Sequence, residues 1–147
     1  MNPTPIRWLV CGVTLAMFAC SKSSSPAASP AGLPKSAGPV VQHGAPRLVV
    51  QSFIDACRRS DARFLGDTLG PTENAAIRQL KVDAFKNEVS PAMKKVFTRY
   101  ANASDTSMKA EAGAITVTVK VGSEEVAFHC KDVPPSGFFI VDFPIPQ

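Results

Sequence analysis

From Pro46 onward, apolar residues recur at helical spacing. Val49, Val50, Phe53, Ile54 and Cys57 make one stripe, and Asp55, Arg58 and Arg59 fall largely on the other side. That period predicts an amphipathic helix. Ser60 or Asp61 is placed to cap a second, short helix over residues 62–69, and Gly70-Pro71 then breaks the chain. A third helix is expected over about residues 72–87, with Ala76, Ile77, Leu80 and Ala84 on its apolar face. Ser90-Pro91, a capping residue followed by a first-turn proline, restarts the helical pattern. Met93, Val96, Phe97 and Tyr100 form its stripe. Stripes of this kind are core faces before they are ligand sites.

After Asn102 the period falls to two. Ile115, Val117, Val119 and Val121 alternate with Thr116, Thr118 and Lys120, which predicts a half-buried strand. Gly122-Ser123 suits a type II′ hairpin turn. Val126, Phe128 and Cys130 then alternate with Glu125, Ala127 and His129. The Pro134-Pro135-Ser136-Gly137 turn leads to a further strand over residues 138–143, and residues 108–112 are placed to add one before Ile115. Helices followed by adjacent strands predict an α+β domain, with the helices packed on a curved antiparallel meander of three to four strands.

Residues 1–19 have a different pattern. A lead with one charge, Arg7, precedes a run from Trp8 to Ala19 that is apolar apart from Gly12 and Thr14. The run is shorter than the ~20 residues a membrane-spanning helix needs, and it reads as an export signal. Met17-Phe18-Ala19-Cys20 resembles the lipobox of bacterial lipoproteins. Ala19 and Cys20 match it, Met17 is a less common apolar choice, and bulky Phe18 departs from it. The resemblance implies a diacylglyceryl group on the Cys20 thiol and cleavage before Cys20. The protein would then be anchored in the bacterial cell envelope through acyl chains on Cys20. Ser21, where an Asp would retain the chain in the inner membrane in the enterobacterial pattern, points to the outer membrane facing the periplasm.

Between the lipobox and the first helix, residues 20–45 are rich in Ser, Pro, Ala and Gly and hold few bulky apolar side chains. Such a segment buries too little to offset its ordering entropy and reads as a tether. As a loose coil it spans about 25–30 Å. His43 lies in this tether without an expected partner, which argues against a metal role. Residues 46–147 are left for one small domain with one modest core. The net charge of the 147-residue chain is +4 and drops by one when Arg7 is removed. This scattered surplus suits a surface near an anionic membrane but does not make the clustered basic face of a nucleic-acid binder.

Three stretches carry a second resemblance. Arg47-Leu48-Val49-Val50-Gln51-Ser52-Phe53-Ile54-Asp55-Ala56 resembles the opening helix of small NTF2-like (cystatin-like α+β, DUF4878-type) lipoprotein domains. Ser60-Asp61-Ala62-Arg63-Phe64-Leu65 resembles the turn and short helix that follow, and Gly137-Phe138-Phe139-Ile140-Val141-Asp142-Phe143 the closing strand. The helical stretch before the strands is longer than the usual pattern. The resemblance implies a curved sheet wrapped around helices, often with a cone-shaped pocket, and no single activity.

NTF2-like enzymes do acid–base work with Asp, His or Tyr in that pocket, so Asp55, Tyr100 and His129 are the catalytic candidates. Asp55 lies off the main stripe of its helix, and Tyr100 is expected at the edge of the core with a wet hydroxyl. His129 is out of phase with the apolar strand positions and should point away from the core. No Gly-rich phosphate loop, metal-ligand cluster or nucleophile–base spacing is found, and no cofactor is expected. The reading favoured is a non-catalytic envelope lipoprotein that binds an envelope protein or a small apolar ligand. A pocket enzyme and a purely structural envelope protein are the alternatives.

Cys11 leaves with the signal and Cys20 is acylated, so Cys57 and Cys130 remain as a pair in an oxidising compartment. Both fall on faces directed to the layer between helices and sheet. A structural disulfide between them is expected, with two separate buried thiols as the alternative.

Overall fold

A computed structural model describes residues 39–111 and 114–147. The lipobox with Cys20, and the tether as far as residue 38, lie outside the described residues. Four helices precede four strands: α1 (Pro46–Arg59), α2 (Ala62–Thr68), α3 (Ala75–Phe85), α4 (Pro91–Tyr100), β1 (Ser104–Glu111), β2 (Ala114–Val121), β3 (Glu124–Val133) and β4 (Gly137–Asp142). The strands form one antiparallel meander in the order β1-β2-β3-β4. The fold is therefore α+β, as the change of period predicts, and the segment before Ile115 is a full strand.

Local chemistry sets the helix limits. Pro46 opens α1, and Ser60 closes it in the left-handed region at φ 54°. Asp61 rather than Ser60 caps α2, its carboxylate accepting from Phe64 N at 2.9 Å. Ser90 caps α4 by accepting from Met93 N at 3.4 Å. The third helix is shorter than its apolar pattern implies. Asn74 caps it at one end, and at the other Asn87 turns left-handed at φ 58°, with Glu88 N donating to Asp83 O at 2.8 Å.

The strand register places alternate residues on opposite faces. Val117 pairs with Phe128, Val119 with Val126 and Ile115 with Cys130 on the inner face. Thr116 pairs with His129, and Lys120 with Glu125, on the outer one. Gly122 takes φ 63° in the turn between β2 and β3. The register of β3 with β4 shifts between His129 and Cys130, so that Cys130 meets Ile140 while His129 meets Asp142. This bulge lets Phe143 turn inward, where it is buried.

The inner face packs on α1, with Val49, Val50 and Phe53 fully buried. The interior, where the resemblance implies a cone-shaped pocket, holds four rings. Phe53 meets Tyr100, Phe128 and Phe143 edge-on at centroid distances of 5.6, 5.2 and 4.9 Å, and Phe128 stacks on Phe143 at 5.3 Å. The end of α1 is tied to the approach to β1. Arg58 donates from Nε to Ala101 O at 3.0 Å and from Nη2 to Ala103 O at 3.2 Å.

Packing extends back beyond Pro46. Val41 belongs to the core. Far from being without a partner, His43 accepts from Phe138 N through its carbonyl at 2.9 Å, and its Nδ1 donates to Phe138 O at 2.7 Å. Its ring also lies 4.2 Å from that of Phe139. Composition averaged over a Ser- and Pro-rich segment does not register so short a graft onto a strand edge.

Cys57 and Cys130 are separate buried thiols, which corrects the expected disulfide. Both do face the layer between helices and sheet, but at different places in it. Cys57 precedes Arg58, which reaches the residues just before β1. Cys130 pairs with Ile115, whose other partner is Ala110 near the far end of β1. Sharing a layer does not bring two Cα atoms within the ~7 Å that a bridge needs.

Candidate functional site

A wide concavity lies on the outside of the molecule. It is an open groove of about 1090 Å³ between the outward face of α3 and the outer side of β4 and β3. Gly70 and Val141 contribute to its floor, Arg78, Val82 and Phe85 of α3 to one wall, and Lys131 of β3 to the other.

Two contacts hold the walls in place. Leu69 makes a parallel bridge to Ile140, and Gly70 N donates to Ile140 O at 2.8 Å, so the chain leaving α2 lies along the edge of β4. Helices α2 and α3 cross closely at Gly66, where an added Cβ would stand 2.5 Å from the Ala84 Cβ. Ile77, Leu80 and Ala84 face inward. Val82 stands about 140° or more, and Phe85 about 80° or more, round the helix from each residue of that stripe. Phe85 is 93% exposed and Val82 45% exposed, so a second apolar strip on α3 is left largely uncovered among the described residues.

The groove is also charged. Arg78 and Lys81 line it from α3, Lys86 from just past the end of that helix and Lys131 from β3, against Glu73 and Asp142. Lys81 donates to Leu69 O at 2.7 Å. Asp142 accepts from Asn74 Nδ2 at 2.9 Å. Arg78, Lys86 and Lys131 form no ion pair among the described residues.

The three catalytic candidates are not brought together. Asp55 is half-exposed on α1 and pairs with Arg58 Nη1 at 3.0 Å. Tyr100 is in the core, and its hydroxyl, expected to be wet, donates to Pro144 O instead. Burial pushes its pKa up to about 12. His129 points outward as its phase predicts, with Nδ1 3.2 Å from Thr116 Oγ1. It lines a separate shallow depression with Asn74, Ala127 and Asp142. The sheet stands between His129 on its outer face and the core around Tyr100.

The thiols do not supply a nucleophile either. Burial raises Cys130 to about 12 and Cys57 further still, so both stay protonated. Among the described residues no group of three or more His, Cys, Asp or Glu side chains converges as a metal site would require.

The groove residues Val82, Phe85 and Arg78 are the ones that reading the sequence for a core passes over. Their signal was two large apolar residues at i, i+3, off the main stripe, with an arginine one turn earlier. Compared with known protein families, curated proteins and solved structures, the chain matches none.

Proposed function

We propose that the chain is an envelope lipoprotein, anchored through Cys20, whose α+β domain is a non-catalytic binding module with its site in the groove between α3 and β4. The observation that carries this reading is the exposure of Phe85 beside Val82, inside an open groove of about 1090 Å³. A protruding aromatic side chain on a rigid helix keeps its apolar surface in water until something covers it. A single exposed apolar side chain is ordinary, but apolar residues grouped in a groove and rimmed by polar ones are the usual form of a binding site. The separation of Asp55, Tyr100 and His129 supports binding over acid–base catalysis, because a general acid and base must reach the same bond. The anchor rests on the Met17-Phe18-Ala19-Cys20 lipobox. No helix among the described residues is long and apolar enough to cross a membrane.

A photo-reactive amino acid in place of Phe85 tests the reading in intact cells, with the same amino acid in place of Lys94 on the exposed side of α4 as control. Irradiation and mass spectrometry are expected to give a defined adduct at position 85 and none at position 94. Equal, diffuse labelling at both positions, or none at 85, would remove the groove as the site.

A further inference from the structure

We infer that the ligand of the groove is an anionic amphiphile, an acyl chain ending in a carboxylate or phosphate. This rests on the groove being the binding site, and three features narrow the chemistry.

Charge is the first. Cations stand on both walls, Arg78 on α3, Lys86 just past its end and Lys131 on β3; they outnumber the acidic Glu73 and Asp142 of the lining, and none of these three has an ion-pair partner among the described residues. A solvated basic surface is the ordinary state of such side chains, but here they border Val82, Phe85 and Val141. A ligand that satisfies both parts has an apolar body and an anionic end, and an arginine offers the fork that carboxylate and phosphate oxygens fit.

The second feature is the edge of β4. An acidic peptide would gain most of its affinity by adding a strand. That edge is already occupied: Gly70 N donates to Ile140 O at 2.8 Å, and His43 exchanges hydrogen bonds with Phe138 at 2.9 and 2.7 Å. A ligand without a peptide backbone loses nothing there.

Size is the third feature. About 1090 Å³ of open groove is at the upper end of small-molecule sites and leaves room for an acyl chain with its head group.

The test uses the full chain in nanodiscs of neutral lipid. Amphiphiles of one chain length, carrying a diazirine at the chain end and a carboxylate, a phosphate or a hydroxyl at the other, are photolysed and their adducts mapped by mass spectrometry. The carboxylate and phosphate compounds are expected to label the peptides bearing Val82, Phe85 and Val141 at least about tenfold more than the hydroxyl compound, the worth of one charge-assisted hydrogen bond. Arg78→Gln with Lys131→Gln should abolish that preference, and Arg78→Lys should retain part of it. Phe85→Ser should weaken labelling by all three. Equal labelling by the hydroxyl compound in the wild type would overturn the anionic head group and leave the groove as the site. Absence of groove labelling by every compound would overturn the inference, and the intact-cell adduct at position 85 would then show whether the groove still binds something else. A protein as that adduct would overturn the amphiphile and keep the groove.

Discussion

Asn74 Nδ2 donates to Asp142 Oδ1 at 2.9 Å, and the same amide caps α3 through its oxygen, which accepts from Ala76 N at 3.0 Å and Ile77 N at 3.4 Å. One side chain thus fixes where α3 begins and ties that point to the end of β4, which sets the spacing of the groove walls. Asn74→Ala removes the cap and should cost about 1 kcal/mol or somewhat more. Asp142→Ala removes only an exposed hydrogen bond and should cost about 0.5 kcal/mol or less. Asn74→Asp keeps the cap but sets a carboxylate against Asp142, so it should fall between the two. Urea unfolding of the three variants orders them, and a larger loss from Asp142→Ala than from Asn74→Ala would contradict the assignment of the cap.

Gly66 keeps α2 and α3 in close contact. An added methyl would stand 2.5 Å from the Ala84 Cβ, which is a side chain with no rotamer to give way. Gly66→Ala should therefore destabilise by roughly 1–3 kcal/mol despite the better helix propensity of alanine. Ala84→Gly should relieve part of that loss in the double variant. Thermal unfolding of the two single variants and the double variant measures the coupling, and simple additivity would show that the two positions do not touch.

Alkaline pH should unfold the reduced domain. Cys130 is raised to about 12 and Cys57 further, both by burial, whereas the thiols of the unfolded chain ionise near pH 8.5. Between those limits the folded state holds more protons than the unfolded one, so stability falls as pH rises. The fall begins near pH 9 and steepens above pH 10, where Tyr100, raised to about 12 by burial, joins in. Each thiol contributes a slope of up to about 1.4 kcal/mol per pH unit. Cys130→Ala should flatten the dependence while lowering the plateau below pH 8, because it leaves a small cavity. Urea midpoints collected from pH 7 to pH 11 in reductant give both quantities, and a flat profile would mean that these thiols are not buried.

Cys20→Ala should release the chain from membranes or leave it as an uncleaved precursor. A single acyl chain anchors only marginally, and several anchor stably, since each buried CH₂ contributes about 0.8 kcal/mol. Mass spectrometry of the N-terminal peptide of the wild-type chain decides the matter: an unmodified Cys20 would exclude the lipoprotein reading.

Asp55→Asn and His129→Ala should each leave ligand labelling in the groove within about twofold of wild type, because neither side chain lines it. Loss of the biological activity in either variant, with membrane attachment and stability kept, would favour the pocket enzyme.

Sequence periodicity by itself determined the fold class, the inward residues of α1, α4, β2 and β3, and the outward direction of His129. It could do so because a stripe at a period of 3.6 or 2 is a local property, and the hydrophobic effect enforces it residue by residue. Only the tertiary structure decided the rest. His43 joins the domain because the edge of β4 offers it hydrogen bonds, Val41 because it packs into the core, and nothing in their own neighbourhood announces either. Cys57 and Cys130 stay apart because the path of α1 over the sheet sets their places, a relation between residues distant along the chain. Phe85 is left uncovered because the crossing at Gly66 and the tie from Asn74 to Asp142 place α3 beside β4 with its second apolar strip facing out. Which apolar residues find cover depends on where each element comes to lie against the others, and a pattern read along one element does not contain that.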